Sequence, residues 1–175
     1  MGKTIGLLKV SVLRGLRLVI RDFRTSDPYV VLKLDNQVVK TKVINNSLNP
    51  VWNEEFTFSI TEPVGVLNLE VFDKDRFKAD DEMGYAHIGL QQIVSAARLK
   101  KFVGTTQGAT KIRTMVPDSD NCLAKESCIR CLDGEIVQDA CLRLCGVESG
   151  EIELRLKWAD DPSLAAAAAT AAPSE

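Results

Sequence analysis

Four aspartates and a glutamate (Asp73, Asp75, Asp80, Asp81 and Glu82) stand within ten residues, between two apolar runs. The first run, residues 66–72, reads as a strand that ends at Phe72. The second restarts at Met83-Gly84 and continues through His87, Ile88 and Leu90. The acidic stretch must therefore be a loop at one end of a sheet. Like charges this close raise each other's pKa or demand a cation. Aspartate offers two hard oxygens on a short arm, and Ca²⁺ takes about 6–8 such oxygens in a flexible geometry. The stretch reads first as a calcium loop. The alternative is a solvated acidic turn, since aspartate favours turns in any case. An EF-hand is excluded, because its loop needs glycine at the sixth position and Lys78 stands there when counting from Asp73.

The rest of the chain repeats the same short units. Residues 5–14 alternate, with Leu8, Val10 and Val12 on one face and Lys9, Ser11 and Leu13 on the other. Gly15 interrupts, and residues 16–20 resume. A polar loop with two aspartates five apart, Asp22 and Asp27, ends at Pro28, which cannot sit in a central strand. Residues 29–35 form a strand, Asn36-Gln37 turn, and residues 38–44 pair back with Lys40 and Lys42 on one face. After the turn-rich 45–50 segment, Phe56, Phe58 and Ile60 point inward, and Pro63 and Gly65 close that strand. Residues 91–101 suit a short surface helix. Ile152, Leu154 and Leu156 alternate with Glu153, Arg155 and Lys157 in a final strand. Short strands without strong helices between them predict an all-β antiparallel sandwich. The alanine-rich residues 159–175 have too little to bury and are expected to be disordered.

At 175 residues the chain can bury one real core. Its net charge of −2 gives no nucleic-acid signal. No run approaches the roughly 20 apolar residues of a membrane span. The start of the chain lacks a signal-peptide core, and Gly6 stands where myristoylation needs Ser or Thr. Membrane contact is expected to be peripheral. Five cysteines, Cys122, Cys128, Cys131, Cys141 and Cys145, crowd one segment and read as reduced thiols of a cytosolic or nuclear protein. Cys128, Cys131, Cys141 and Cys145 could hold Zn²⁺, but their spacing fits no compact knuckle, and small buried residues are the alternative. The segment 134–145 includes a strand, and 119–131 reads as a short helix. His87 is the single histidine and takes a core or flank place within a strand. No nucleophile, base and orienter can be assembled around it, and no phosphate-binding glycine loop is present, so the protein is not read as an enzyme.

Several pieces occur together in a fixed order: Ser26-Asp27-Pro28-Tyr29-Val30, Lys40-Thr41-Lys42-Val43-Ile44, Ser47-Leu48-Asn49-Pro50-Val51-Trp52-Asn53-Glu54, Asp73-Lys74-Asp75, Asp81-Glu82-Met83-Gly84, and the closing strand 150–158. In that order they resemble a C2 domain over residues 3–113 and 150–158. The resemblance implies an eight-stranded antiparallel Greek-key β-sandwich spanning 1–158. A short α/β insert at about 114–148 precedes the last strand. A small C2 domain with a cysteine-rich insert at this place resembles the plant C2-domain abscisic-acid-related family.

The resemblance implies Ca²⁺ held by Asp22 and Asp27 from one loop and by Asp73, Asp75 and Asp81 from another. Backbone carbonyls of Arg21 and Lys74 would add to them, with Asp80 behind the ligands. Five carboxylates offer ten oxygens where two ions would need roughly 12–16 contacts, leaving places for water or a lipid phosphate. Phe23-Arg24 and Arg76-Phe77-Lys78 occupy loop tips and suit the headgroup boundary of a membrane. For Phe77 the alternative is packing onto its own loop. Tyr29, Lys33, Lys40 and Lys42 resemble a phosphoinositide-binding lysine patch. Val31 stands where another lysine is common, and a plain solvated face is the equal alternative. Implied partners are anionic phospholipid membrane, abscisic-acid receptors of the PYR/PYL/RCAR family and, for a GTPase-activating member, a GTPase acted on in trans. The implied locations are cytoplasm, nucleus and the periphery of the plasma membrane. The insert is the expected protein-docking surface.

Overall fold

The computed structural model describes residues 3–21, 25–103 and 108–159. Ten strands and one helix follow in the order β1 (Thr4–Leu16), β2 (Pro28–Leu34), β3 (Gln37–Lys40), β4 (Val51–Thr61), β5 (Val66–Asp73), β6 (Asp81–Gly89), α1 (Gln91–Val103), β7 (Ala109–Met115), β8 (Ser127–Leu132), β9 (Glu135–Arg143) and β10 (Glu151–Ala159). One sheet runs β4-β1-β10-β9-β8-β7 and the other β3-β2-β5-β6. The strand pairs are antiparallel.

The period-two pattern explains why the sheets face each other. Leu8, Val10 and Val12 of β1 are buried, as are Phe58 and Ile60 of β4 and Ile152, Leu154 and Leu156 of β10. Val30, Leu32 and Leu34 of β2 meet them from the second sheet, together with Leu67, Leu69 and Val71 of β5. Burial of each such side chain contributes about 1.5–3 kcal/mol. Phe56, expected inward, is only partly buried and packs against the rim of the core. Helix α1 lies against β8, β9 and β10. Its buried residues Ile93, Val94, Ala96 and Ala97 recur at the three-to-four spacing of one helical face.

The architecture is the expected sandwich with ten strands in place of eight. The surplus comes from the insert, which joins the sheet instead of hanging from it. β9 pairs with β10 from Arg143↔Glu151 to Val137↔Lys157, and β8 and β7 follow outward. The helix expected at 119–131 is absent. Ser127–Leu132 is strand, turned onto β9 through Asp133 (φ 49°) and Gly134 (φ 85°), the two positive φ values of a tight hairpin. Upstream, side chains compete with a helix for the backbone. Asp118 Oδ1 accepts the Asp120 N–H at 2.7 Å, and Asn121 Oδ1 accepts the Leu123 N–H at 3.0 Å.

Several strand bounds also differ. β5 runs on to Asp73 and β6 already begins at Asp81, so only residues 74–80 of the acidic stretch are loop. Pro28, expected outside any central strand, is the first residue of β2, which lies between β3 and β5; the first place of a strand tolerates a missing N–H. β1 continues through Gly15 to Leu16, and residues 17–21 are not strand. β3 stops at Lys40. Buried Thr41 then takes over, its Oγ1 accepting the Val30 N–H at 2.9 Å and donating to the Lys42 carbonyl at 3.0 Å. Ala159 closes β10, and the remaining tail lies outside the described residues.

Candidate functional site

Three strand ends meet at one edge of the four-stranded sheet. Pro28 at the start of β2 is in register with Asp73 at the end of β5, and Asp73 with Asp81 at the start of β6. Asp27, one residue before β2, joins the same row. Asp73 is 1% exposed, and an ionised carboxylate so buried must be compensated. Its Oδ1 accepts the Asp27 N–H at 2.7 Å, and Asp27 Oδ1 accepts the Asn46 N–H at 2.7 Å. The Lys74 N–H donates to the Asp27 carbonyl at 3.0 Å. The row is thus tied together by backbone donors from three loops.

The approach to Asp27 is fixed by Ser26. Its buried hydroxyl donates to the Val19 carbonyl at 3.0 Å and accepts the Arg21 N–H at 2.9 Å. The Arg21 side chain crosses to β6, where Nε donates to the Glu82 carbonyl at 3.0 Å. Asp22, Phe23 and Arg24, expected as a ligand and a membrane tip, lie outside the described residues.

The 74–80 loop is organised by its own carboxylates. Asp75 Oδ1 accepts the N–H groups of Phe77 at 2.8 Å and Lys78 at 3.2 Å. Asp80 Oδ1 accepts the Asp75 N–H at 2.8 Å, and its Oδ2 accepts the Tyr29 hydroxyl. The Tyr29 bond and then the Asp75 amide hold the Asp80 carboxyl below the usual carboxylate range. Burial, and then Asp80, push the Tyr29 hydroxyl up to about 12. Lys74 Nζ lies 3.9 Å from Asp80 and Lys78 Nζ 4.0 Å from Asp75. These ammonium groups offset part of the acidic repulsion.

The donor chemistry fits a hard divalent cation: carboxylate oxygens from adjacent strand ends, one of them deeply buried. Among the described residues, no three acidic, histidine or cysteine side chains stand arranged to hold an ion. Residue for residue, Asp27, Asp73 and Asp81 share the strand-end row, and Asp75 sits in the adjoining loop. Arg21 and Lys74 are tied to that region through backbone N–H bonds.

Phe77 is 96% exposed at the tip of this loop, flanked by exposed Arg76 and Lys78. It does not pack onto its own loop. The expected lysine patch is looser. Tyr29, Val31 and Lys33 share the outer face of β2; Val31 is in register with Lys40 and Lys33 with Val38 of β3. Tyr29 stacks on Phe72 at 5.6 Å between ring centres, and Lys33 pairs with Glu70 at 2.9 Å. Lys42 lies beyond β3, and its N–H donates to Glu54 of β4 at 2.9 Å. A groove of about 540 Å³ lies over this face, lined by Lys33, Glu70, Tyr85 and His87 among others.

Cys128, Cys131, Cys141 and Cys145 form no metal cluster among the described residues. Cys141 donates to Glu151 Oε1 at 3.4 Å, and burial followed by Glu151 pushes its thiol up to about 12. Sequence reasoning missed the Tyr29–Asp80 bond and the Ser26 anchor. Ser26 beside Asp27-Pro28 was a readable signal for a polar anchor. Nothing local signals that Tyr29 reaches Asp80.

The C2 domain family model matches residues 6–105. The chain is 59% identical over 162 residues to Protein C2-DOMAIN ABA-RELATED 11 of Arabidopsis thaliana, covering 93% of this chain and 98% of that relative. It is 44% identical to GTPase activating protein 1 of Oryza sativa subsp. japonica, covering 93% and 96%. Among solved structures, the first C2 domain of plant Extended Synaptotagmin 1 superposes with a TM-score of 0.59 at 24% identity, covering 91% of this chain and 98% of that one. The calcium-bound tandem C2 domains of Extended-Synaptotagmin 2 give 0.63 at 23% identity, covering 90% and 47%. At such identity these two likenesses concern the fold alone.

Proposed function

The chain belongs to the C2 domain family, and on that premise we propose that it is a Ca²⁺-dependent phospholipid-binding adaptor that brings signalling proteins to the plasma membrane. One observation carries the reading: the aspartate row at the strand ends lies beside a loop whose tip presents a fully exposed Phe77 between two cations. Asp22, Asp27, Asp73, Asp75 and Asp81, with the carbonyls of Arg21 and Lys74, would hold Ca²⁺. When bound, Ca²⁺ neutralises the loops and offers open coordination to a lipid phosphate. The protein's own residues do the rest. Asp80 and Tyr29 hold the loop's shape, Phe77 enters the headgroup boundary, and Arg76 and Lys78 attract an anionic leaflet at about 1 kcal/mol each. Among the described residues no helix is long and apolar enough to cross a membrane, which suits peripheral attachment from the cytoplasm or nucleus.

The name of the Arabidopsis relative supports an abscisic-acid-related context, and abscisic-acid receptors are the cargo proposed for it. The insert at 114–148, built into the sheet as β8 and β9, is the surface we assign to that partner. A second reading, activation of a GTPase in trans with lipid binding setting location, is supported by the name of the rice relative.

The test is co-sedimentation with phosphatidylserine vesicles, in Ca²⁺ and in chelator, for the native chain and for Asp73→Ala/Asp75→Ala. Binding that needs both Ca²⁺ and the aspartates is the expected result. Binding indifferent to both would overturn the calcium switch and move the weight to Lys40 and its neighbours. For the second reading, an unchanged turnover rate of a purified partner GTPase when this protein is added in excess would end it.

A further inference from the structure

Two of the five thiols meet across the fold. Cys122 and Cys145 are 23 residues apart in sequence, yet their sulfurs lie 3.9 Å apart. Cys122 Sγ is also 3.4 Å from Nδ1 of His87 on β6. Backbone bonds hold this meeting in place. Tyr85 and Cys145 exchange both N–H···O bonds, at 3.1 and 2.7 Å, and the Arg143 N–H donates to the Cys122 carbonyl at 2.7 Å. The Arg143 guanidinium donates to the carbonyls of Asn121 and Leu123 at 2.6 and 2.7 Å, pinning the stretch around Cys122. Cys122 is 3% exposed, while Cys145 is half-buried and His87 exposed. All three residues nonetheless border open space. Cys145 and His87 line the 540 Å³ groove, and Cys122 and His87 line a second hollow of about 370 Å³.

We propose that Cys122 and Cys145 form an oxidisable dithiol that hydrogen peroxide converts to a disulfide, with His87 accepting the first proton. The Cys122 proton passes to His87 Nδ1, and the thiolate sulfur attacks one peroxide oxygen. The O–O bond breaks, the departing hydroxide takes the proton back from His87 as water, and Cys122 becomes a sulfenic acid. Cys145 sulfur then attacks the Cys122 sulfur. The S–O bond breaks, and the hydroxide leaves with the Cys145 proton as a second water. Two thiols and one peroxide thus give one disulfide and two waters. Disulfide formation requires the sulfurs to close from 3.9 Å to about 2.05 Å.

The division of labour follows from the surroundings. Cys122 has the imidazole. Burial, and then the neighbouring Cys122, hold the Cys145 pKa above the usual thiol value. Cys141 is held protonated by burial and Glu151. The reaction requires neither Ca²⁺ nor a membrane.

The experiment treats the full-length chain with hydrogen peroxide, alkylates the remaining thiols and maps peptides by mass spectrometry. The Cys122–Cys145 cross-linked peptide should appear before other oxidised species, and dithiothreitol should remove it. In Cys145→Ser, dimedone should label Cys122. In His87→Gln, that labelling should slow about tenfold, as the proton acceptor is lost. Cys128→Ser should leave the cross-link unchanged. Absence of the cross-linked peptide from the native chain, or earlier oxidation at Cys128, would overturn the proposal. An unaltered rate in His87→Gln would overturn the role of the histidine.

Discussion

Tyr29 on β2 donates its hydroxyl hydrogen bond to Asp80, 51 residues away, and the other oxygen of Asp80 accepts the Asp75 N–H at 2.8 Å. A phenol on the sheet thereby sets the position of a backbone amide inside the acidic loop. Tyr29→Phe keeps the ring stacked on Phe72 and removes only the bond. Loss of a hydrogen bond to a charged acceptor costs about 1.5–3 kcal/mol. We expect a lower thermal midpoint and weaker Ca²⁺ binding by calorimetry. An unchanged Ca²⁺ affinity would show that Asp80 does not shape the site.

The same pair predicts a pH window. The folded Asp80 pKa is depressed, so its contribution is present above the unfolded value of about 4 and fades as pH falls below that. The folded Tyr29 pKa is raised to about 12, so its contribution is complete below the unfolded value and is lost as pH rises through about 12. Chemical denaturation across pH should show the stability difference between native chain and Tyr29→Phe shrinking at both ends. A difference independent of pH would contradict the assignment.

Phe77 contacts almost nothing in the folded protein. Phe77→Ala should leave thermal stability unchanged and weaken binding to phosphatidylserine vesicles. Full burial of the ring contributes about 1.5–3 kcal/mol, so a loss of about tenfold or more is expected, about 1.4 kcal/mol being tenfold. Equal vesicle binding by both proteins would place Phe77 outside the membrane contact.

Asp73 and Asp75 should separate fold from function. Asp73→Ala strips the acceptor from the Asp27 N–H at a buried position, and an orphaned buried donor costs about 1–3 kcal/mol. Asp75 is less buried and its acceptor bonds are local. Both variants should lose Ca²⁺-dependent vesicle binding, but only Asp73→Ala should melt clearly earlier. Equal melting of the two would refute the buried tie.

Gly84 has φ +106°, and an added Cβ would lie 2.8 Å from Val147 Cγ2 and 2.9 Å from Leu144 Cβ. Gly84→Ala should destabilise the protein by more than about 1 kcal/mol and loosen the bridge between Tyr85 and Cys145. Denaturant titration reads the first effect and hydrogen exchange at the Tyr85 and Cys145 amides the second.

The alternation in β1, β4 and β10, the turn residues between strands and the acidic gap at 73–82 were sufficient to read a sandwich with a carboxylate-rich end. Such patterns are local: a residue's neighbours two places away share its face whatever the rest of the chain does. That Asp27 lies with Asp73 and Asp81 was implied only by the resemblance to C2 domains, since nothing local joins the 22–27 loop to the 73–81 loop. The insert was not legible from local patterns either. A short helix was expected at 119–131, but pairing with β9 decided Ser127–Leu132 as strand, an outcome that depends on a partner hydrogen-bonding edge.

Residue order alone thus determined the class of fold, the end of the sandwich that gathers the carboxylates and the aromatic tip beside them. Tertiary structure alone decided that Tyr29 reaches Asp80, that Glu54 accepts the Lys42 backbone N–H, and that Cys122 meets Cys145 and His87 instead of the other thiols. The difference is physical. Periodicity and turn chemistry act over a few residues, whereas these contacts join groups from separate strands and loops. Their meeting depends on strand register, bulges and loop path, which emerge only when both sheets pack together.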